Sequence, residues 1–223
     1  MQPESQRIAS LLTATTQRRF PPKTRGHVLQ VALLLFNQRG FAAVTTASIA
    51  EEAGVLEGTL WYHFNSKKDL LIAHMALLRE AFAEANTQSH DADPEAVVRG
   101  VFDAYDVIWD FRYLLRDDFR HALPGEVELL QALQLLNDEL DDWAEERVAH
   151  ADAHELLTLP RGEAAGIAEI ILLIGRYWLD FSEGKYPDTD HAELRKRGLG
   201  HIFTVLKPYL SPEAAEVVRR KLS

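Results

Sequence analysis

The sequence predicts an all-α chain, with a small three-helix head at the N-terminus and a longer helical body behind it. Three observations carry that reading. No stretch alternates apolar and polar residues with period two between turn residues, so a sheet is not expected. Apolar residues instead recur at the i, i+3, i+4, i+7 spacing of a helix face. Pro and Gly fall between segments of helical length, at Pro21-Pro22, Gly40, Gly54, Pro94, Pro124-Gly125, Pro160, Gly184 to Pro187, Pro208 and Pro212. With 47% hydrophobic and 26% charged residues the composition is that of a globular chain, not a disordered one.

Taken in order, residues 5–16 carry Ile8, Leu11 and Leu12 on one face and read as a short amphipathic helix, ended by Pro21-Pro22. A helix over 24–39 follows, with Val28, Val31, Ala32, Leu35 and Phe36 on one stripe and Gly40 just past its end, where a left-handed backbone suits glycine. The Thr-rich run from Thr45 supplies an N-cap for the next helix. Long helical patterns then cover 67–89, 94–120, 125–153, 161–182, 190–209 and 212–222.

The 223-residue chain has a net charge of −10, which taken whole argues against binding nucleic acid. The sum hides an asymmetry. Nine Lys and Arg against six Asp and Glu up to residue 80 make +3; fifteen against twenty-eight beyond it make −13. The absence of Cys excludes disulfides, thiolate metal sites and a Cys nucleophile. No apolar run approaches the ~18 residues that span a bilayer, and no secretory h-region opens the chain. The expectation is a cytoplasmic protein without membrane contact.

The informative stretch is 46–60. Ala50, Gly54 four residues on and Leu60 six beyond that have the spacing of a helix-turn-helix. Ala50 is small because the second helix crosses close above it, and Gly54 takes the left-handed turn that a Cβ would strain. Ile49, Ala53, Val55 and Leu60 are expected to pin both helices to Val31, Leu35 and Phe36. Leu56, Glu57, Thr59, Trp61, Tyr62 and His63 are left on the outer face of the second helix, the one that enters the major groove in such a unit.

The run VLQVALLLFNQRGFAAVTTASIAEEAGVLEGTLWYHFNSKKDLL, residues 28–71, closely resembles the DNA-binding domain of the TetR family of bacterial regulators. The resemblance implies roles by position. Thr46 would cap the first helix of the motif and reach a phosphate. Gly58 and Thr59 would open the recognition helix at a phosphate or groove edge. Tyr62 and His63 would contact the backbone with Trp61 beside them, and Lys67 and Arg25 would reach phosphates. Where the family usually has a small hydroxyl residue and then Lys, this chain has Leu56 and Glu57. Leu56 could meet a thymine methyl and Glu57 a cytosine amino group, or Glu57 could only complement the helix dipole from solvent. The basic run Arg18, Arg19, Lys23 and Arg25 around Pro21-Pro22 reads as a DNA-reaching arm or as a tail.

The resemblance further implies a division into an N-terminal extension (1–22), a helix-turn-helix DNA-binding domain (23–72) and a helical effector-binding and dimerisation domain (73–223). Phe102, Tyr105, Trp109 and Arg112 are spaced +3, +4, +3 and read as core or as one wall of a largely apolar effector pocket. Arg176 follows an apolar run. It calls for an acidic partner, Asp180, Asp106 or Asp110, or for a ligand carboxylate. Ile170, Ile174, Tyr177, Leu199, Ile202, Phe203 and Leu206 are the expected dimer interface, with closure of the chain's own core as the rival. Glu146, His150 and His154 share a helix face, but a solvated face is the expected reading, and no metal or cofactor is expected.

The expectation is therefore a homodimeric regulator, a repressor by family habit, that binds double-stranded operator DNA and is released by a small, largely apolar effector. A helical adaptor that binds only protein is the alternative. An enzyme is not expected: no Gly-x-Ser-x-Gly, phosphate loop, dinucleotide fingerprint or His-Glu-x-x-His occurs.

Overall fold

The computed structural model describes residues 11–88, 93–116, 119 and 123–223. Its helices are α1 (Ala14–Gln17), α2 (Lys23–Arg39), α3 (Thr46–Glu52), α4 (Glu57–His63), α5 (Lys67–Gln88), α6 (Pro94–Asp110), α7 (Val127–Ala153), α8 (Ala164–Lys185), α9 (His191–Leu206) and α10 (Pro212–Leu222), with a 3-10 turn at Arg112–Leu114. Among the described residues the one β pairing is an isolated bridge between Leu157 and Leu210, so the all-α expectation holds. The expected helix start at Ser5, the end at Ser89 and most of 117–122 lie outside the described residues. No helix among the described residues is long and apolar enough to cross a membrane.

The chain forms two compact units, and the division falls within α5, α6 and α7. The first holds residues 1–81 with 106–133. Its core is the stripe read from the sequence: Val28, Val31, Ala32, Leu35 and Phe36 of α2 are all buried, and Ile49, Ala50, Leu60, Leu70 and Leu71 are buried in the same unit. Leu29 and Leu33 are buried too, so α2 is covered on more than one side. Gly40 closes α2 at φ 77, its N–H donating to Phe36 O.

The helix expected over 94–120 stops at Asp110, and the cause is a side chain 73 residues away. In a continued helix Tyr113 N–H would donate to Trp109 O, and Leu114 N–H to Asp110 O. Instead Tyr113 N–H donates to Asn37 Oδ1 (3.1 Å), while Asn37 Nδ2 donates to Asp110 O (2.7 Å). Arg112 Nη1 takes Trp109 O at 3.0 Å, and Leu114 N–H tightens onto Phe111 O at 3.0 Å. The buried Asn37 amide thus replaces the helix ladder and turns the chain into a 3-10 step.

The N-terminal segment is packed onto this step. Thr13 donates its N–H (2.9 Å) and its hydroxyl (2.6 Å) to the buried Asp110 carboxylate. Phe20 stacks on Phe111, and Leu12 and Thr16 are buried. Residues 12–20 are therefore an anchored part of the first unit and not a tail.

The second unit holds 82–105 and 134–223. Within it Phe102 stacks on Phe203 at 5.5 Å, Trp178 Nε1–H donates to Leu194 O at 2.8 Å, and Arg220 pairs with Glu95. Leu199, Ile202, Phe203 and Leu206 of α9 are buried with Leu179 of α8.

Candidate nucleic-acid interface

Local chemistry builds the α3–turn–α4 unit. Thr45 is the N-cap of α3. Its hydroxyl accepts from Ser48 N–H (3.1 Å), and Ser48 Oγ accepts from Thr45 N–H (3.1 Å), a reciprocal capping box. The expected cap at Thr46 is therefore displaced by one residue. Thr46 begins the helix, and its hydroxyl donates to Glu57 Oε1 at 3.2 Å. α3 ends at Ala53. Gly54 takes φ 63, and Val55 N–H donates to Ala50 O (2.9 Å), closing the turn that the spacing predicted.

α4 starts at Glu57 after Leu56, whose side chain makes no cap. Leu60 is fully buried and fastens α4 down; what remains faces outward. Leu56 is 80% exposed, Tyr62 85% and Trp61 43%, more apolar surface than a seven-residue helix normally leaves to water. Tyr62 meets His63 edge-on, with ring centroids 5.1 Å apart. Gly58 is open, and a Cβ there would touch nothing within 4 Å. Glu57, tied to Thr46, joins the starts of α3 and α4.

Two cations flank the unit. The Arg25 guanidinium lies 5.0 Å from the centre of the Phe64 ring, at the C-terminal end of α4. Lys67 is more committed than the sequence suggested. Its Nζ donates to Phe41 O (2.7 Å) and Val44 O (2.8 Å) and lies 4.3 Å from the Phe41 ring centre, and burial lowers its pKa. One N–H of the ammonium is left for an outside acceptor. Ser66 and Asp69 open α5 with a second reciprocal pair: Ser66 Oγ–H donates to Asp69 Oδ1 (3.0 Å), and Asp69 N–H to Ser66 Oγ (3.2 Å).

The remaining expected residues separate. Trp109 and Arg112 belong to the first unit, where the Arg112 guanidinium lies 5.3 Å from the Trp109 ring centre. Phe102, Tyr105 and Arg176 belong to the second, so the four-residue stripe from 102 to 112 is not one helix face. Arg176 pairs with Asp141 of α7 and donates to Asn137 O at 3.3 Å; Asp141 replaces the expected partners Asp180, Asp106 and Asp110. Of the expected interface residues, Leu199, Ile202, Phe203 and Leu206 close the second unit's own core, while Ile170 (43%) and Tyr177 (70%) are exposed and Ile174 is half-buried. Leu173 extends the exposed face, as does Phe181, which sequence reasoning passed over although its i, i+4 spacing from Tyr177 was a usable signal. Among the described residues no three His, Asp or Glu gather as a metal site, and His154 Nδ1 is bonded to His150 O at 2.9 Å.

A left-handed turn at Gly54 beside the buried Ala50 and Ala53, and an outward-facing second helix, define a helix-turn-helix protein with a helical second domain. Residues 28–74 match the family model described as bacterial regulatory proteins of the tetR family, and residues 76–218 match that of a bacterial transcriptional repressor, TetR. The chain belongs to the TetR family, whose members are DNA-binding, ligand-responsive transcriptional regulators. It is 36% identical to the regulator TtgR of Pseudomonas putida over 80 residues, 34% of this chain and 38% of that one, so it spans well under half of that relative's length. The repressor NicS of Pseudomonas putida is 28% identical over 194 residues, 85% of this chain and 79% of that one. Among solved structures, a TetR-family regulator from Marinobacter aquaeolei superposes with a TM-score of 0.68 at 22% identity, covering 90% of this chain and 98% of the other. KstR2 of Mycobacterium tuberculosis gives a TM-score of 0.57 at 17% identity, covering 86% and 97%.

Proposed function

We propose that the chain is a cytoplasmic homodimeric repressor that binds operator DNA through residues 23–72 and is released when a small, largely apolar effector binds within 73–223. The observation that carries the DNA reading is the outer face of α4, where Leu56, Trp61 and Tyr62 are exposed beside an open Gly58. In this reading α4 enters the major groove. Gly58, Thr59 and Thr46 approach the edge of the groove, Tyr62, His63 and Arg25 flank it, and the free N–H of Lys67 meets a phosphate. Glu57, held by Thr46, sets the angle of α4 and accepts from a cytosine amino group.

Dimerisation is assigned to the outer face of α8. Ile170, Leu173, Tyr177 and Phe181 form one exposed apolar stripe, with Tyr177 and Phe181 stacked at 5.6 Å and Ile174 alongside. A stripe of this kind is covered by its symmetric copy in an isologous interface. Within the second unit Phe102 and Tyr105 supply apolar surface for an effector, and effector binding favours a state whose two recognition helices no longer match the half-site spacing. The reading is tested by selection from a random-sequence duplex library. It expects an enriched palindrome with half-sites about one helical turn apart, ~34 Å. Failure to enrich any sequence would remove the reading.

A further inference from the structure

Every buried side-chain polar group normally finds a partner, and the exceptions point to something that binds there. In the second unit α7 holds such an exception. Leu140, Ala144, Arg147 and Ala151 follow one another at +4, +3, +4, the repeat that keeps residues on one helix face. Leu140, Ala144 and Ala151 are at most 8% exposed. Arg147, itself half-buried, shares a face of α7 with this buried apolar row. Its Nε and Nη1 are shielded from solvent and have no hydrogen-bond partner among the described residues. One turn earlier, Trp143 Nε1 is likewise shielded without a partner among the described residues, its ring packed edge-on against Phe82 at 4.9 Å. Burial lowers the pKa of Arg147, with only the neighbouring Glu146 raising it. Arg176, twelve residues past the start of its own helix, shows the contrast: it has its carboxylate in Asp141.

We propose that Arg147 and Trp143 form the polar end of the effector site, where they bind the carboxylate of an apolar monoacid. The Nε–Nη2 edge of a guanidinium presents two parallel N–H donors that match the two oxygens of a carboxylate, the shielded Nε being one of them, and the indole N–H adds a third. One guanidinium balances one negative charge, so a monoanion fits and a phosphate dianion does not. Leu140, Ala144, Ala151 and Phe82 give the rest of the ligand an apolar surround. The proposal rests on the effector-responsive reading above and adds the chemical class.

The test titrates the full chain by calorimetry with decanoate and 4-phenylbutyrate, each against its matched alcohol, decan-1-ol and 4-phenylbutan-1-ol. At least one acid is expected to bind, at least tenfold more tightly than its alcohol, and Arg147→Met is expected to weaken that binding roughly ten- to hundredfold. Trp143→Phe weakens it less, and Arg147→Lys restores part of what Arg147→Met loses. Arg147→Met also separates this role from a structural one. Replacing a charge that has no internal partner leaves the melting temperature of the unliganded chain unchanged or raises it, whereas breaking an internal pair lowers it. Binding of neither acid, equal affinity for acids and alcohols, or undiminished binding by Arg147→Met would overturn the proposal. Selection of an operator by the same preparation keeps the regulator reading separate. An operator with no acid binding defeats this inference alone, and no operator defeats the reading beneath it.

Discussion

His74 offers a quantitative test of how the first unit is held together. It is fully buried on α5, ringed by Phe36, Phe111 and Tyr113 at centroid distances of 5.8–5.9 Å. Leu29 O, 3.0 Å from Nε2, can only accept, so Nε2 carries the proton. Nδ1 is left to accept from the Tyr113 hydroxyl at 2.9 Å. The ring is neutral, and burial lowers its pKa from 6.5 to about 4 despite the bond to Leu29. In the unfolded chain the same ring titrates near 6.5, so below that pH the unfolded state binds a proton that the native state refuses. Stability is therefore full above pH 6.5 and falls by about 1.4 kcal/mol per pH unit until the folded pKa is reached. At pH 5 the loss assigned to this one residue is about 2 kcal/mol. Urea unfolding at pH 7.5 and pH 5.0 measures it, with His74→Gln as the control that keeps a polar side chain and removes the titration. The variant is less stable at both pH values, but its loss between them is expected to be about 2 kcal/mol smaller than that of the unsubstituted chain. Equal losses would refute the reasoning, because every other titrating group is common to both proteins.

Three further outcomes follow from particular contacts. A Cβ at Gly198 would lie 2.0 Å from Tyr105 Oη and 2.4 Å from Trp178 Cδ1, so Gly198→Ala forces the α6, α8 and α9 side chains apart and costs about 1–3 kcal/mol in urea unfolding. Lys67→Met removes the ammonium that holds the Phe41 and Val44 carbonyls, costing about 1–2 kcal/mol of stability. If its remaining N–H meets a phosphate, the salt slope of DNA binding also falls by about one; an unchanged slope assigns Lys67 to the fold alone. Leu173→Asp, at a position 63% exposed, is expected to leave the unfolding free energy of the single chain within about 0.5 kcal/mol. It should nonetheless convert the dimer to monomer in sedimentation equilibrium, and a persisting dimer would move the interface elsewhere.

The parts of the fold that local sequence governs were legible. The α2 stripe, the Ala50–Gly54–Leu60 spacing and the outward set on α4 all follow from helix periodicity and from one left-handed turn residue. What local pattern cannot resolve is a choice between neighbours, as at Thr45 and Thr46, where the capping box with Ser48 decides which is the cap. It also cannot see across the chain. α6 ends at Asp110 because Asn37 competes for its ladder and Thr13 for its carboxylate, contacts spanning 73 and 97 residues. The partner of Arg176 lies 35 residues away on α7. The apolar faces of α8 and α9 look alike as sequence; only folding shows that α9 spends its face on the second unit's core while α8 leaves a stripe open. Arg147 drew no notice in the sequence, because its shielded donors are a property of the packed helix.

The central claim is that the outer face of α4 reads DNA. Its most direct test is the affinity of the Trp61→Ala, Tyr62→Ala double variant for the selected operator, measured by fluorescence anisotropy beside the unsubstituted chain. Both side chains are exposed, so the variant should keep its melting temperature within a few degrees while operator affinity falls at least tenfold, about 1.4 kcal/mol. Unchanged affinity in a folded variant would contradict the account.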